Sequence, residues 1–316
     1  MIDSCIVELP LAPAAAHLAL EDWLLDNLAP EARVLLLYRS QPAVVLGKNQ
    51  NLWRETDPAV LATEGVALAR RVSGGGAVYH DPGNLNFAFL VPREGYDGDA
   101  LSAVVLTALR SLGVAAELGP RSVLQVDGRK ISGNAFCYRR QWTLHHGTLL
   151  LSADLARLSR CLQPALPELA THAVASVRSP VLNLGLAAAD VVAALVAAWR
   201  AELPGGAELP LYRGLPPAVD ANALADCLRK HVSTEWLYDM NPTFICPIET
   251  PSGELRLRVR HGHIQGVEPA GDSRAAVLDK AWRDTRFKAR SMRAALLAAE
   301  PPVEASIHAW LAKREF

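Results

Sequence analysis

Arg70-Arg71-Val72-Ser73-Gly74-Gly75-Gly76-Ala77-Val78-Tyr79-His80-Asp81 is the stretch on which the reading of this chain turns. Three consecutive glycines leave the backbone without Cβ atoms, so φ can be positive and a ligand can come close. Exposed N–H groups in such a turn cradle phosphate oxygens. The two arginines upstream offer charge-assisted hydrogen bonds to a phosphate or a carboxylate. No Lys-Ser or Lys-Thr follows, so the turn is not a Walker A loop, and the glycine spacing is not that of the dinucleotide fingerprint. A triple glycine alone reads as a flexible loop or tight hairpin as readily as a binding turn. Asp81, Gly83, Asn84 and Asn86 just downstream favour a built site.

Outward from the turn, Val66 to Val72 reads as a strand running into the glycines, and Leu85 to Val91 as a buried central strand. Ala14 to Leu28 has the spacing of an amphipathic helix, begun after Pro13 and ended by Pro30, with Glu21, Asp22 and Asp26 between its leucines. Val34 to Tyr38 and Val44 to Gly47 look like a hairpin-like pair across Gln41-Pro42. Asp99 to Leu112 reads as a helix ended by Gly113. Ser122 to Val126, Lys130 to Tyr138 and Gly147 to Leu151 read as strands, the first two joined by the hairpin signal Asp127-Gly128. Helices follow at Leu155 to Cys161 and Ala187 to Leu203, then a Gly- and Pro-rich loop from Pro204 to Pro217. Past the break at Asn241-Pro242, three strands and two helices (Ala275 to Trp282, Met292 to Ala299) suggest a small α/β unit.

Two further stretches carry chemistry. In Asp127-Gly128-Arg129-Lys130-Ile131-Ser132-Gly133-Asn134, a lysine just after a hairpin turn can aim its ammonium into a pocket while Ile131 points the other way. Such a charge suits drawing a carboxylate toward an α-phosphate. Taken alone, Lys130 reads as a solvated surface lysine. In His145-His146-Gly147-Thr148, adjacent strand positions face opposite sides, so one histidine suits a pocket and the other a structural place, and a shared metal is disfavoured.

Together the three blocks, in this order and spacing, resemble the lipoate–protein ligase A family of the biotin/lipoate ligase superfamily. Leu46 to Asn51, Ser176 to Leu184 and Trp236 to Phe244 extend the resemblance over nearly the whole chain. It implies an α+β fold: a mixed β-sheet catalytic domain of the biotin/lipoate ligase type over residues 1–235, and a small α/β C-terminal accessory domain over residues 242–316. A Pro-marked hinge near residue 240 would join them. It also implies two steps: lipoate and Mg2+-ATP give lipoyl-AMP and pyrophosphate, then a carrier-protein lysine attacks the acyl carbon. Lys130 would be the catalytic residue. ATP would be held by Arg71, Gly75, Gly76, Ala77, Val78, Tyr79, Asn84 and Lys130. Lipoate would be held by Arg70, Ser73, Gly74, Lys130, Gly133 and His146. The implied partners are lipoyl carrier domains of 2-oxoacid dehydrogenase complexes, a glycine-cleavage H-type protein or a related lipoyl-bearing protein. His17, Ser40 and Asp239 depart from residues common in the family, and Ala165 to Ala173 lacks its usual lysines.

The same fold serves octanoyl and lipoyl transferases, which form a thioester on a cysteine without ATP. Cys137 and Cys161 are the candidates, each otherwise a small buried hydrophobe. The bulk properties fit either enzyme. A formal net charge of −1 over 316 residues gives no electrostatic case for nucleic acid. Five cysteines without a CxxC pair fit a reducing cytoplasm. No leader pattern opens the chain, and its longest apolar stretch, Leu184 to Trp199, is too short for a membrane span.

Overall fold

A computed structural model describes residues 1–203, 206–297, 299–300, 303–312 and 314. Its early strands are β1 (Cys5–Glu8), β2 (Val34–Arg39), β3 (Ala43–Leu46), β4 (Ala67–Arg70), β5 (Val78–His80) and β6 (Asn84–Pro92). The middle strands are β7 (Glu117–Leu118), β8 (Leu124–Val126), β9 (Arg129–Ser132), β10 (Asn134–Arg139), β11 (Trp142–Leu150), β12 (Ala170–Thr171) and β13 (Leu211–Arg213). The tail adds β14 (Phe244–Ile248), β15 (Leu255–Arg260) and β16 (His263–Glu268).

A mixed six-stranded sheet, ordered β10-β11-β6-β2-β1-β13, is the centre of the fold. Its apolar strands are buried on both faces. Leu35, Leu37, Phe87 and Phe89 pack beneath the helices Gly98–Ser111 and Ala188–Glu202. Val34, Leu36, Ala88 and Leu90 pack against the helix Ala14–Leu24 on the other face. That helix also covers the small sheet β4-β3-β5 through Ala14 and Leu18. The acidic residues of the helix do not all face solvent: Glu21 and Asp22 are buried.

Three readings need correction. β2 and β3 are not a hairpin but belong to different sheets; Gln41-Pro42 lacks the positive-φ residues that a tight hairpin needs. Lys130 to Tyr138 is two strands, because the chain changes sheets at Gly133: β9 pairs with β8 and β10 with β11. The loop from Pro204, of which Pro204 and Gly205 lie outside the described residues, contains β13, a parallel partner of β1. Three residues are too few to leave a periodic signal. The Asp127-Gly128 turn is as expected, with φ of 49° and 70°.

In the tail, β12-β14-β15-β16 form a sheet backed by the helices Ser273–Trp282, Ala289–Leu296 and Ala305–Ala312. Its strand β12 comes from before the expected boundary. Phe244, Leu257 and Trp282 share one core with Val44, Leu46, Trp53 and Tyr79. At the expected hinge, the Asn241 side chain is buried and accepts from the Leu52 N–H at 2.6 Å. Asp239 pairs with Arg286 at 2.8 Å.

Candidate active site

The glycine turn leaves β4 and enters β5, and the strand alternation decides what its two arginines do. Arg70 and Arg71 face opposite ways. Arg70 was expected beside lipoate, yet it is fully buried and lines neither cavity described below. Its guanidinium donates to the carbonyls of Gly47, Gln50 and Leu237 and to Asn241 Oδ1 at 3.1 Å. It ties the turn to the tail. Arg71 faces the cleft side but spends its donors on backbone: Val45 O at 3.2 Å, Gly74 O at 2.6 Å and Gly76 O at 2.8 Å. Gly47 is required by this packing, since a Cβ there would lie 2.1 Å from Gly75 O.

Two adjoining cavities, of about 680 and 580 Å³, share a wall that includes Ala77, Val78, Lys130, Gly133 and Thr148. Gly75, Gly76, Arg71 and His146 line the first, Tyr79 the second. Lys130 is held by its backbone, which bonds to Pro180 O at 2.8 Å and receives Leu182 N at 2.9 Å. A Cβ on Gly133 would lie 2.9 Å from Lys130 Nζ, so glycine there lets the ammonium lie along the chain. Burial, then the nearby Arg71, lowers the Lys130 pKa. Among the described residues no carboxylate pairs with it. An unpaired, partly desolvated cation in a shared cavity wall is an anion site.

β11 sends its histidines to opposite faces, as expected. His145 packs among Phe89, Phe136 and Tyr96. His146 takes the helix side: its Nδ1 lies 2.8 Å from Glu21 Oε2 and its Nε2 2.6 Å from Ser73 Oγ. Ser73 Oγ accepts from Arg71 Nε at 2.9 Å, and Tyr38 OH donates to Glu21 Oε1 at 2.9 Å. Ser73 is buried in this chain of contacts, and neither it nor Gly74 is in the cavity walls. Asn84 is fully buried and donates to Asn86, and it is Asn86 that lines the first cavity. Asp81 braces the turn into β6 by accepting from Gly83 N and Asp154 N.

Several residues around the site escaped the sequence reading. Glu21 had a signal, because it falls on the same helix face as Leu18 and Leu24. Ser176 lies over the turn, accepting from Ala77 N at 2.8 Å and from Gln50 Nε2 at 3.0 Å. Glu55 lines the second cavity, and His80 the first. The departures His17 and Ser40 contact each other at 3.1 Å, and the His17 ring packs on Tyr38. Asp22, Cys227 and His231 have metal-ligand spacing, but Lys230 at 2.7 Å and Arg139 at 2.6 Å already neutralise Asp22.

Comparison with known proteins agrees with this architecture. Lipoate-protein ligase A of Psychrobacter cryohalolentis is 43% identical over 168 residues, 53% of this chain and 50% of that protein. The chain thus matches about half the length of that relative. The structure of P. falciparum LipL1 in complex with lipoate superposes over 98% of this chain and 97% of its own, with a TM-score of 0.64 and 21% identity. A lipoate-protein ligase A bound with ATP covers 74% of this chain and 98% of its own, with a TM-score of 0.61 and 23% identity. At such identities these two structures establish the shared fold, a mixed-sheet α+β catalytic fold of the biotin/lipoate ligase type. The sequence model of the lipoyl protein ligase A/B catalytic domain matches residues 13–199, more than half of the chain. Carrying that domain together with its glycine turn, lysine strand and histidine strand, the chain belongs to the lipoyl protein ligase A/B family.

Proposed function

We propose that the chain is an ATP-dependent lipoate–protein ligase. The observation that carries this reading is the unpaired Lys130 ammonium in the wall shared by two cavities, next to the glycine turn. One cavity takes the acid and the other the nucleotide, so that Lys130 meets both the carboxylate and the α-phosphate. A carboxylate oxygen of lipoate attacks the α-phosphorus, and pyrophosphate leaves. Lys130 offsets the negative charge that builds on the bridging oxygens. The backbone from Gly75 to Tyr79 holds the phosphates. The amine of a carrier lysine then attacks the acyl carbon; AMP departs and an amide forms.

Glu55, in the second cavity and accepting from Ser176 N through one oxygen, would be the carboxylate to hold Mg2+, which would neutralise phosphate charge. The acceptors are lysines of lipoyl carrier domains, from 2-oxoacid dehydrogenase complexes or an H-type protein. The five free thiols fit a reducing cytoplasm, where we place the reaction.

The thioester alternative finds no suitable thiol. Neither Cys137 nor Cys161 lines either cavity, and burial raises the pKa of both. A nucleophilic cysteine needs the reverse shift. The test is to incubate the protein with lipoate, a carrier domain and Mg2+, with and without ATP. A lipoyl mass gain on the carrier that requires ATP supports the ligase. Equal gain from a lipoyl donor without ATP contradicts it.

A further inference from the structure

We infer that Glu21 is a positioning residue for the glycine turn: through His146 and Ser73 it fixes the Arg71 guanidinium, and Arg71 aims the turn's N–H groups at the cleft. This deepens the ligase reading and, for nucleotide affinity, rests on it.

The hydrogen count gives the chain a direction. Arg71 Nε can only donate, so Ser73 Oγ accepts at 2.9 Å. The single Ser73 hydroxyl proton is then free for His146 Nε2, 2.6 Å away. An accepting Nε2 leaves the imidazole proton on Nδ1, which donates to Glu21 Oε2 at 2.8 Å. Tyr38 OH donates to the other carboxylate oxygen at 2.9 Å. Nδ1 faces a carboxylate oxygen, which accepts, so the ring carries a proton there. All protons therefore point toward Glu21, which is fully buried.

The other end of the chain acts on the turn. Arg71 draws the carbonyls of Gly74 and Gly76 inward. Because each peptide is planar and trans, the N–H that follows each carbonyl points the opposite way. The Gly75 and Ala77 N–H groups therefore face away from Arg71, and Ala77 N already meets Ser176 Oγ in the cavity wall. A guanidinium this buried needs a counter-charge. Among the described residues no carboxylate touches it, and the carboxylate at the end of the relay is Glu21.

Glu21→Gln removes the charge while its amide oxygen still accepts from His146; its NH2 reverses the Tyr38 contact, with the phenol oxygen accepting. In the full chain, hydrogen exchange of the amides over residues 73–77 is expected to speed up about tenfold in Glu21→Gln. Ser73→Ala should give a similar gain, and the double variant no more than either single. The KM for ATP should rise about tenfold in Glu21→Gln. Unchanged exchange, multiplying effects, or a KM change confined to lipoate overturns the inference. Ser73→Ala, which deletes one hydroxyl beside Arg71, carries the exchange test alone if Glu21→Gln does not fold. A parent protein without lipoate-dependent pyrophosphate release sinks only the ligase reading, because exchange still decides the relay.

Discussion

Arg70 and Arg71 are neighbours with the same side chain and different tasks. Alternation along β4 gives Arg70 the seam with the tail and Arg71 the turn. Replacing Arg70 with Met leaves several carbonyls and Asn241 short of donors. Stability should fall by about 3 kcal/mol, read by urea denaturation, while the KM for lipoate of the folded fraction stays within about twofold. A large rise in that KM would instead return Arg70 to the acid site. Two buried histidines set the acid limit of stability. Burial first, then neighbouring cations and rings, pushes His80 down to about 3 from 6.5, and burial with His146 does the same to His145. Both are neutral and without cost above 6.5. Below it the unfolded chain takes up their protons first, so stability falls by about 1.4 kcal/mol per pH unit for each histidine until near pH 3. His145→Phe should therefore flatten the fall in Tm between pH 7 and 5; an unchanged slope contradicts this. Both arginines and His146 were visible in the sequence. Their partners were not, because those partners are backbone carbonyls, a side-chain amide and a carboxylate up to 171 positions away.

At the scale of elements, the site depends on places where the chain changes sheets. Gly133 ends β9 before β10 begins and gives the Lys130 ammonium, in the shared cavity wall, room to lie along the chain. Gly47 lets the segment after β3 pass under Gly75. Gly47→Ala should cost roughly 1–3 kcal/mol, the range for forcing an extra carbon into a packed site. It should also lower pyrophosphate release at least tenfold, because the carbonyl that must yield belongs to the turn. A variant with normal turnover would show the turn to be more tolerant than this packing allows. The helices Leu155–Cys161 and Ala188–Glu202 and the hairpin at Asp127-Gly128 were legible from spacing and turn chemistry. The partner of each strand was not, since β2 and β3 share a composition but lie in different sheets.

For the whole molecule, the tail is packed rather than appended. Phe244 packs tilted and Phe287 edge-on against Trp53, and β12 joins the tail sheet from residue 170. Removing residues 242–316 would expose Leu46, Leu52 and Trp53, so the truncated chain should aggregate or lose its cooperative melt; a soluble monomer with the parent's Tm would contradict a shared core. The break at Asn241-Pro242 marked a change of element and gave no sign of this burial, which depends on side chains that meet only after both sheets form.

In the proposed reaction Lys130 promotes adenylation, and the measurement that decides this is lipoate-dependent pyrophosphate release from ATP in the parent and in Lys130→Ala. The variant should keep the parent's melting behaviour and lose at least a thousandfold in release rate, about 4 kcal/mol of barrier. A folded Lys130→Ala protein that releases pyrophosphate at the parent rate would contradict it.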